Sequence, residues 1–317
     1  MKETQKAVKN FPLSYSKVNM DLIRNIIRIK RAAAIANLKA KKISGVKSKA
    51  IVKACKKGIR RSQFPISALQ GGAGTSINMN VNEVIAKMAK VDSLDHVNLS
   101  QSTNDVCSSA LRITSYLYLN NLIESLGILI KEFNLKTKEF KKVKKLSRTH
   151  LQDAVPTTLG KEFKSYADIL KEHLSNLKRA QSLMLVLNLG GAAIGEGNNT
   201  GNVYVNSVYK EIKNITGVKF ILAKNLMAKT SSLTDFLIVS QAVVALSVDL
   251  SKIANDFRLM SSGPRGGFGE ILLPRLQKGS SIMPGKVNPV VSELVNQWHF
   301  LVSGNNLMIE KSAEAGQ

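Results

Sequence analysis

The chain has few of the residues that would place it in several common classes of protein. Its 317 residues include two cysteines, Cys55 and Cys107, and no CxxC pair or Cys/His cluster. A disulfide framework and a zinc module are therefore excluded, and a reducing, cytoplasmic setting fits best. Met1–Asn10 is polar and no apolar stretch follows it, so no secretory leader is expected. The Gly71–Gly74 run lacks the spacing of a dinucleotide site.

Aromatic and acidic residues are also scarce. Aromatic content is 5%, and 46 Lys and Arg face 22 Asp and Glu, which gives a net charge of +24. The densest basic runs, Lys39–Lys42, Lys47–Arg61 and Lys141–Lys145, contain no aromatic residues on which bases could stack. We interpret them as solvated helical faces and expect no nucleic-acid partner, although a polyanion-binding helical protein is a distinct hypothesis with a strongly salt-dependent affinity.

No apolar run is long enough to predict a membrane span. The longest, Phe236–Leu250, has fifteen residues and is interrupted by Gln241 and Asp249. A helix that is apolar almost all round has to be surrounded by other helices. We therefore expect this segment in the middle of a bundle, and no membrane partner.

Helical periodicity dominates the rest of the chain, and strand-type alternation is nearly absent. Three further long helices are predicted, at about Ser109–Val143, Lys161–Leu187 and Pro289–Ala315. The fold class is therefore all-α, a bundle of long helices. Because one helix is expected to be enclosed on every side, we predict that other subunits bury part of it.

Residues 279–289 read GSSIMPGKVNP and form the most informative stretch of the chain. Glycines and prolines prevent regular helix or strand here, so we expect an ordered polar loop. It is not a phosphate-binding loop. That motif places four residues between its glycines and Ser or Thr after its lysine, whereas five residues separate Gly279 from Gly285 and Val287 follows Lys286. A lid or binding loop is the favoured interpretation.

Three other segments are dense in small polar residues: Gln70–Glu83 (QGGAGTSINMNVNE), Asn98–Asp105 (NLSQSTND) and Ser147–Asp153 (SRTHLQD). Each is placed where a long helix begins or ends, so helix capping explains any one of them. Together with the 279–289 loop there are four such segments. That number favours a site at one end of the bundle.

These segments resemble those of one family. GSSIMPGKVNP is similar to the signature loop of the aspartase/fumarase superfamily, and the other segments match its motifs in the same order. The phrases GGAGTSINMNVNEVIA, SQSTND, RTHLQDAVP and SSGPRGGFGEI resemble the aspartase branch more than the class II fumarase branch. The resemblance implies an all-helical homotetramer with active sites shared between subunits. It also implies reversible anti-elimination of ammonia from L-aspartate to fumarate, with no cofactor and no metal.

The resemblance also assigns roles to single residues. Ser280 would be the general base, and Lys286 and Asn288 would hold the α-carboxylate. Four hydroxyl residues would bind the β-carboxylate: Thr75, Ser102, Thr103 and Ser281. Three residues would face the amino group: Asn104, Thr149 and His150. Glu293 would pair with His150.

The chemistry requires these residue types. Removing a proton from the carbon beside a carboxylate leaves an enediolate-like dianion, which many preorganised donors must surround. A serine is a poor base unless its alkoxide is stabilised, and a glycine-rich loop can direct backbone N–H groups at it. A Glu–His pair fixes the tautomer of the imidazole. The remaining histidines are interpreted as structural: His96, His173 and His299.

The chain departs from the family pattern in several places. By the resemblance it begins inside the first domain, near Thr4, and stops before a C-terminal domain. We accordingly expect two truncated domains, at 1–106 and 107–317. The link at Lys87–Asp95 is short, and Ala192 and Glu196 replace two threonines. Two alternatives remain open: a class II fumarase acting on malate, and an inactive truncated remnant of the family.

Overall fold

The computed structural model describes residues 1–13 and 16–316. The chain divides into two compact units. The first comprises Met1–Tyr118 and Gln181–Asp235, and the second comprises Leu119–Ala180 and Phe236–Ala315. The predicted domain boundary between residues 106 and 107 stays a prediction. The last residue of the predicted second domain, Gln317, lies outside the described residues.

Helices dominate the part of the chain that the structure describes. They are α1 (Lys2–Asn10), α2 (Met20–Lys39), α3 (Gly45–Lys56), α4 (Thr75–Ala89), α5 (Thr103–Glu139), α6 (Leu159–Leu183), α7 (Asn202–Thr216), α8 (Leu226–Ser231), α9 (Thr234–Met260) and α10 (Val290–Ala315). The short strands are β1 (Lys144–Thr149), β2 (Gln152–Thr158), β3 (Val186–Leu187) and β4 (Ile221–Leu222). The predicted all-α class with long helices is confirmed.

The core of the first unit forms around α2. Asn19 caps this helix, because its side-chain oxygen accepts a hydrogen bond from the backbone N–H of Asp21 at 2.7 Å. Ile26 and Ile29 are fully buried, and the helix packs against α3, α4 and α7. Alanines in its second half are buried as well, at Ala32, Ala33, Ala34 and Ala36. Small side chains there allow the neighbouring helices to approach closely.

In the second unit, aromatic rings fill the core. Phe163 stacks on Phe257 with ring centroids 5.5 Å apart, and Phe133 lies 5.8 Å from both Phe163 and Tyr166. The helix predicted at Lys161–Leu187 buries one apolar stripe, at Phe163, Ala167, Leu170 and Leu177 among others. Edge-to-face and stacked rings of this kind stabilise a core beyond their buried area.

Helix α9 is longer than the predicted segment and is largely uncovered by its own chain. It is 27 residues long, and its most apolar part is only 22% buried. By length and composition α9 alone, among the described residues, is able to cross a membrane. The predicted enclosure of this helix is thus not supplied by one copy of the chain. Its completion by other subunits stays a prediction.

A β-hairpin after α5 was not expected from the sequence. β1 and β2 pair antiparallel, with an irregularity between Leu146 and Arg148. The small polar residues of Ser147–Asp153 predict a helix end, whereas the structure has them in and around this hairpin. That prediction was wrong because the two-residue connection, His150–Leu151, carries no Asn-Gly or Asp-Gly signal for a tight turn. β3 and β4 form a separate parallel pair.

Candidate active site

Two helices of the first unit begin beside each other at predicted substrate-binding residues. Thr75 is the first residue of α4 and Thr103 is the first residue of α5. The preceding Gly74 lies so close that a Cβ added there would be 3.3 Å from Cys107 Sγ and 4.0 Å from Thr103 Cγ2. Helix N-termini present unpaired N–H groups and a partial positive charge. This pair of helix starts suits a carboxylate.

Asp105 holds the Ser102–Asn104 segment against the loop at 190–192. One carboxylate oxygen of this buried residue accepts from the backbone N–H of Ser102 at 2.9 Å. The other accepts from Gly190 N at 3.0 Å and Ala192 N at 3.2 Å. Burial raises the pKa of Asp105 to about 6, and these three bonds oppose the rise. The segment with the predicted hydroxyl ligands is thereby fixed.

Asn104 is tied to the same loop. Its side-chain amide donates to Ala193 O at 2.8 Å, and its own carbonyl accepts from the Asn188 amide at 3.2 Å. The amide nitrogen of Asn104 is therefore engaged by the protein, and its side-chain oxygen is the group left for an ammonium donor. Glu196, one of the departures from the family pattern, is exposed and accepts from Asn198 at 3.4 Å.

A buried amide network lies behind Thr103. Asn78 donates to Thr103 Oγ1 at 3.1 Å and to Asn98 Oδ1 at 3.1 Å. Asn98 Oδ1 also accepts from Asn82 at 3.2 Å and from Lys30 Nζ at 2.8 Å. Burial lowers the pKa of Lys30 to about 7. Because the Thr103 oxygen accepts from Asn78, its hydroxyl proton is free to donate to a ligand.

Sequence reasoning missed these supporting residues. Asn78 and Asn82 lie in the polar segment Gln70–Glu83, in which only Thr75 is a predicted site residue. The signal available was the spacing of Asn78, Asn80 and Asn82 in an otherwise apolar stretch, and all three are buried. Lys30 carried no signal, since a lysine in a helix is normally solvated.

In the second unit, the tip of the β1–β2 hairpin carries Thr149 and His150. Thr149 pairs with Gln152, so His150 and Leu151 form a two-residue connection with φ of 52° and 65°. Positive φ at both positions is the type I′ turn. Histidine tolerates that conformation, but leucine rarely adopts it. The turn is therefore strained at Leu151, the residue next to His150, and such strain is typical of functional positions.

A cavity of about 480 Å³ lies beside this turn, within the second unit. Its lining is rich in charge and includes Lys145, Arg148, His150, Lys161, Lys252 and Asp256. Basic side chains predominate among the charged groups of the lining. Most of these basic groups are ion-paired, Lys145 and Arg148 with Glu270 and Lys252 with Asp256, so the lining is a network of paired charges beside the turn.

The 279–289 loop closes on itself through hydrogen bonds at its base. Gly279 N donates to Lys286 O at 3.1 Å, and the Asn288 side chain donates to Gly279 O at 2.9 Å. A Cβ on Gly279 would lie 2.3 Å from Lys286 O, so only glycine fits there. The predicted ordered loop is present, and Asn288 serves to tie it.

Ser280 occupies a distinctive position in this loop. Its Oγ accepts from the backbone N–H groups of Ile282 and Met283, each at 3.2 Å. Ser280 is half-buried, whereas Ser281 and Lys286 are exposed. A hydroxyl that accepts two N–H groups resembles an ordinary serine turn, and the same two donors would stabilise an alkoxide at Oγ.

Glu293 lies in the first turn of α10 and is exposed. Its carboxylate accepts from Gln297 at 3.5 Å. Among the described residues of one chain, no hydrogen bond joins Glu293 to His150, and both side chains are exposed. The predicted pairing of His150 with Glu293 stays a prediction.

The other histidines contact structural partners, as expected. His173 Nε2 lies 2.6 Å from Asp249 Oδ2, between α6 and α9. His299 Nδ1 lies 2.9 Å from Ser247 Oγ, and His96 Nδ1 accepts from Asp92 N at 3.0 Å. Within residues 1–13 and 16–316, no group of three His, Cys, Asp or Glu side chains is placed to hold a metal ion.

Long helices with a serine-bearing, glycine-rich loop between α9 and α10 define a class of helical lyases, and comparison with known proteins makes the assignment specific. A family model described as Lyase matches residues 1–304. The chain belongs to this lyase family. The resemblance to the aspartase/fumarase superfamily is thereby confirmed.

Several curated relatives are aspartate ammonia-lyases. The chain is 42% identical to that of Escherichia coli K12 over 332 positions, which cover 99% of this chain and 70% of the relative. It is 43% identical to the Helicobacter pylori 26695 protein, with 99% and 71% covered. It is 41% identical to the Bacillus subtilis 168 protein, with 99% and 70% covered.

Solved structures show the same fold. A fumarate lyase:delta crystallin from Brucella melitensis, bound to cobalt, superposes with a TM-score of 0.95 at 44% identity and covers 99% of this chain and 72% of that one. A class II fumarase from Schistosoma mansoni superposes with a TM-score of 0.96 at 32% identity, with 99% and 73% covered. The long-helix architecture is thus that of the fumarate lyases.

Proposed function

We propose that this protein is an aspartate ammonia-lyase, a carbon–nitrogen lyase that converts L-aspartate reversibly to fumarate and ammonia. The support is the 41–43% identity to curated aspartate ammonia-lyases over nearly the whole chain. Identity to the class II fumarase structure is lower, at 32%. Both kinds of enzyme share the fold, so the fold does not distinguish their substrates. The higher sequence identity to the aspartate ammonia-lyases favours aspartate over malate.

The observation that supports the mechanism best is the pair of N–H groups at Ser280. As general base, Ser280 Oγ would take the proton from Cβ of aspartate. The N–H groups of Ile282 and Met283 already point at that oxygen, 3.2 Å away. They would stabilise the alkoxide without rearranging, which is the main requirement for a serine base. The electron pair released at Cβ would then expel ammonia from Cα.

The β-carboxylate takes up negative charge when the Cβ proton leaves. In our proposal four hydroxyl residues donate to it: Thr75, Ser102, Thr103 and Ser281. The helix starts at Thr75 and Thr103 add backbone N–H groups and a partial positive charge. Asp105 holds Ser102 and Asn78 holds Thr103 in place, so these two residues would need little reorganisation during the reaction.

The α-carboxylate and the amino group would be held by other residues. Lys286 would contact the α-carboxylate, with the Asn288 amide at the base of the loop beside it. The amino group would face the Asn104 side-chain oxygen and the hairpin tip at Thr149 and His150. Glu293 would pair with His150 and fix its tautomer. Every proposed step uses side chains and backbone N–H groups of the protein, and we assign no cofactor and no metal.

We also propose a homotetramer with active sites shared between subunits, working as a soluble cytoplasmic enzyme. Helix α10 exposes large apolar side chains: Val291, Leu294, Trp298, Phe300, Leu301, Leu307 and Met308. Trp298 is 57% exposed and Phe300 is 66% exposed. Together with the uncovered α9, these residues provide a large apolar surface of the kind buried in obligate oligomers.

The test is the ultraviolet absorbance of fumarate formed by the purified protein from L-aspartate and, separately, from L-malate. We expect fumarate from aspartate with ammonia in equal amount, little from malate, and loss of the signal in Ser280→Ala. Size-exclusion chromatography with light scattering identifies the active species. A folded tetramer that releases no fumarate from aspartate would overturn the proposal, and turnover of malate alone would favour the fumarase alternative.

A further inference from the structure

We propose that Glu270 is a positioning residue that holds the His150 turn in place by clamping strand β1. The clamp consists of Glu270, Lys145 and Arg148, with the ring of Phe268 beside it. The inference rests on the proposed function, because it assigns the His150 turn a role at the amino group of the substrate. It adds a residue that was not among the predicted site residues.

The geometry of the clamp is specific. Arg148 donates through both terminal nitrogens to Glu270, from Nη1 to Oε1 at 2.6 Å and from Nη2 to Oε2 at 2.8 Å. Lys145 Nζ donates to Glu270 Oε2 at 3.0 Å. The side chains of Lys145 and Arg148 are 9% and 12% exposed. A bidentate, mostly desolvated Arg–carboxylate pair fixes direction as well as distance.

The carboxylate stands on a rigid support. Glu270 N donates to Met260 O at 2.8 Å, and Gly269 N donates to Ser262 O at 2.8 Å, which fixes the segment to the end of α9. The ring of Phe268 lies 4.4 Å from the Arg148 guanidinium carbon. That contact and the carboxylate hold the guanidinium from two directions. The clamp therefore connects the hairpin to α9 rather than to another flexible segment.

The hairpin needs such a support. Two strands alone are marginally stable in water, and most of β2 is exposed. The turn between them adopts positive φ at His150 and Leu151 without a glycine, and at Leu151 this conformation costs roughly 1–2 kcal/mol. Arg148 lies two residues before His150, next to the irregularity in the ladder. A clamp at that point fixes the register in which the turn forms.

The chain offers a matched control. Glu162 on α6 accepts from the same Lys145 at 2.6 Å, but it acts on Arg148 through its charge and not through the bidentate hydrogen bonds that Glu270 makes. Glu162→Gln removes a carboxylate from the same cluster while the Arg148–Glu270 pair remains. If the cluster stabilises the fold in a general way, the two glutamines should act alike. If Glu270 positions the turn, only Glu270→Gln should affect His150.

The experiment compares Glu270→Gln with Glu162→Gln by two independent readouts. The first is steady-state kinetics with L-aspartate, in which we expect kcat to fall about 100-fold in Glu270→Gln, as for a reacting group displaced by about 1 Å, with KM changed by less than about threefold. The second is the rate at which diethylpyrocarbonate modifies His150, followed by peptide mass spectrometry, which we expect to change several-fold in Glu270→Gln alone.

Equal kinetics and equal His150 modification rates in the two variants would overturn the inference. Should Glu270→Gln fail to fold, Arg148→Lys replaces it, because lysine keeps the charge but loses the bidentate contact. We expect Arg148→Lys to change the rate at which His150 is modified. Glu270→Asp keeps a carboxylate, so its modification rate should lie closer to that of the wild type. The modification rates do not depend on turnover, so a wild-type protein inactive on aspartate would refute the proposed function and leave this inference testable.

Discussion

The cluster around Thr103 and the 279–289 loop would act on the same substrate, yet they are built in opposite ways. The buried side chain of Asn78 donates to Thr103, and the buried carboxylate of Asp105 accepts from the backbone of the neighbouring Ser102. Both supporting side chains belong to the folded core. Ser280 belongs to a loop whose residues 281–287 are exposed and whose hydrogen bonds are to itself. In the proposed mechanism the rigid region would bind the substrate, and the loop, which is hydrogen-bonded to itself, would transfer the proton.

The sharpest test of this contrast is Ser280→Ala. We expect kcat to fall by about 10²–10⁴-fold, the usual contribution of a general base, while the melting temperature stays within about 1 °C, since no other element depends on Oγ. Ser232→Ala is the control, because Ser232 is a serine outside the proposed site whose Oγ also accepts a backbone N–H. Unchanged kcat would show that Ser280 is only a turn residue.

The next effect concerns Asp105 and the pH dependence of stability. Burial raises its pKa to about 6 from 3.8. The folded state then binds the proton more tightly than the unfolded state, so Asp105 lowers the free energy of unfolding as pH rises from about 4 to 6. Asp105→Asn should remove that loss, about 3 kcal/mol by the size of the shift.

Urea unfolding of wild type and Asp105→Asn at a series of pH values measures this difference. The two curves should diverge in slope between about pH 4 and 6, with the wild type falling relative to the variant. The absolute stability of the variant is a separate matter, because asparagine loses an acceptor for one or two of the three N–H groups. Parallel curves would mean that Asp105 does not titrate in this range.

A smaller effect is expected from Thr103→Val, which removes only the hydroxyl. KM for L-aspartate should rise about tenfold, equivalent to about 1.4 kcal/mol, because one donor to the β-carboxylate is lost. Thr114→Val is a close control, since Thr114 lies in the same helix and also accepts from an asparagine, Asn25, at 2.8 Å. Similar losses of stability in both variants with no change in KM would remove Thr103 from the site.

The smallest effect should come from Leu151→Gly in the hairpin tip. Glycine adopts φ of 65° without the steric cost that leucine bears there, so thermal unfolding should show a gain of about 1 kcal/mol. Leu151→Asn should give part of that gain. If the strain helps to position His150, kcat should fall even as stability rises. The hairpin would then contribute to catalysis, as proposed for the 279–289 loop, and not only to binding, as proposed for the residues around Thr103.

Sequence patterns predicted the helices well because burial follows helical spacing over long stretches. Two examples are the buried stripe at Phe163, Leu170 and Leu177 and the loop at 279–289. In both, the local sequence alone indicates the structure. The hairpin escaped prediction because its turn, His150–Leu151, has no local preference for that shape. Long-range contacts to Glu270, more than 100 residues away, support it instead.

The supporting residues of the candidate site were hidden for the same reason. Lys30 reaches Asn98 across 68 positions of sequence, and its burial depends on how α2 packs. Nothing in the local sequence distinguishes it from the many solvated lysines of this chain. The polar ligands themselves were recognisable because they cluster in short segments, whereas the groups that orient them come from distant elements.

The way in which Asp105 holds the loop at 190–192 has a consequence for how this part of the molecule tolerates change. The carboxylate grips the main chain, through Gly190 N and Ala192 N, and no side chain of that loop takes part. A methyl group at 192 therefore leaves the attachment intact where a hydroxyl would otherwise stand. The side chain at position 192 can therefore change while the loop keeps its place beside Ser102, whereas Gly190 and Gly191 are constrained, because a Cβ at either would lie 3.0 Å from a neighbouring atom.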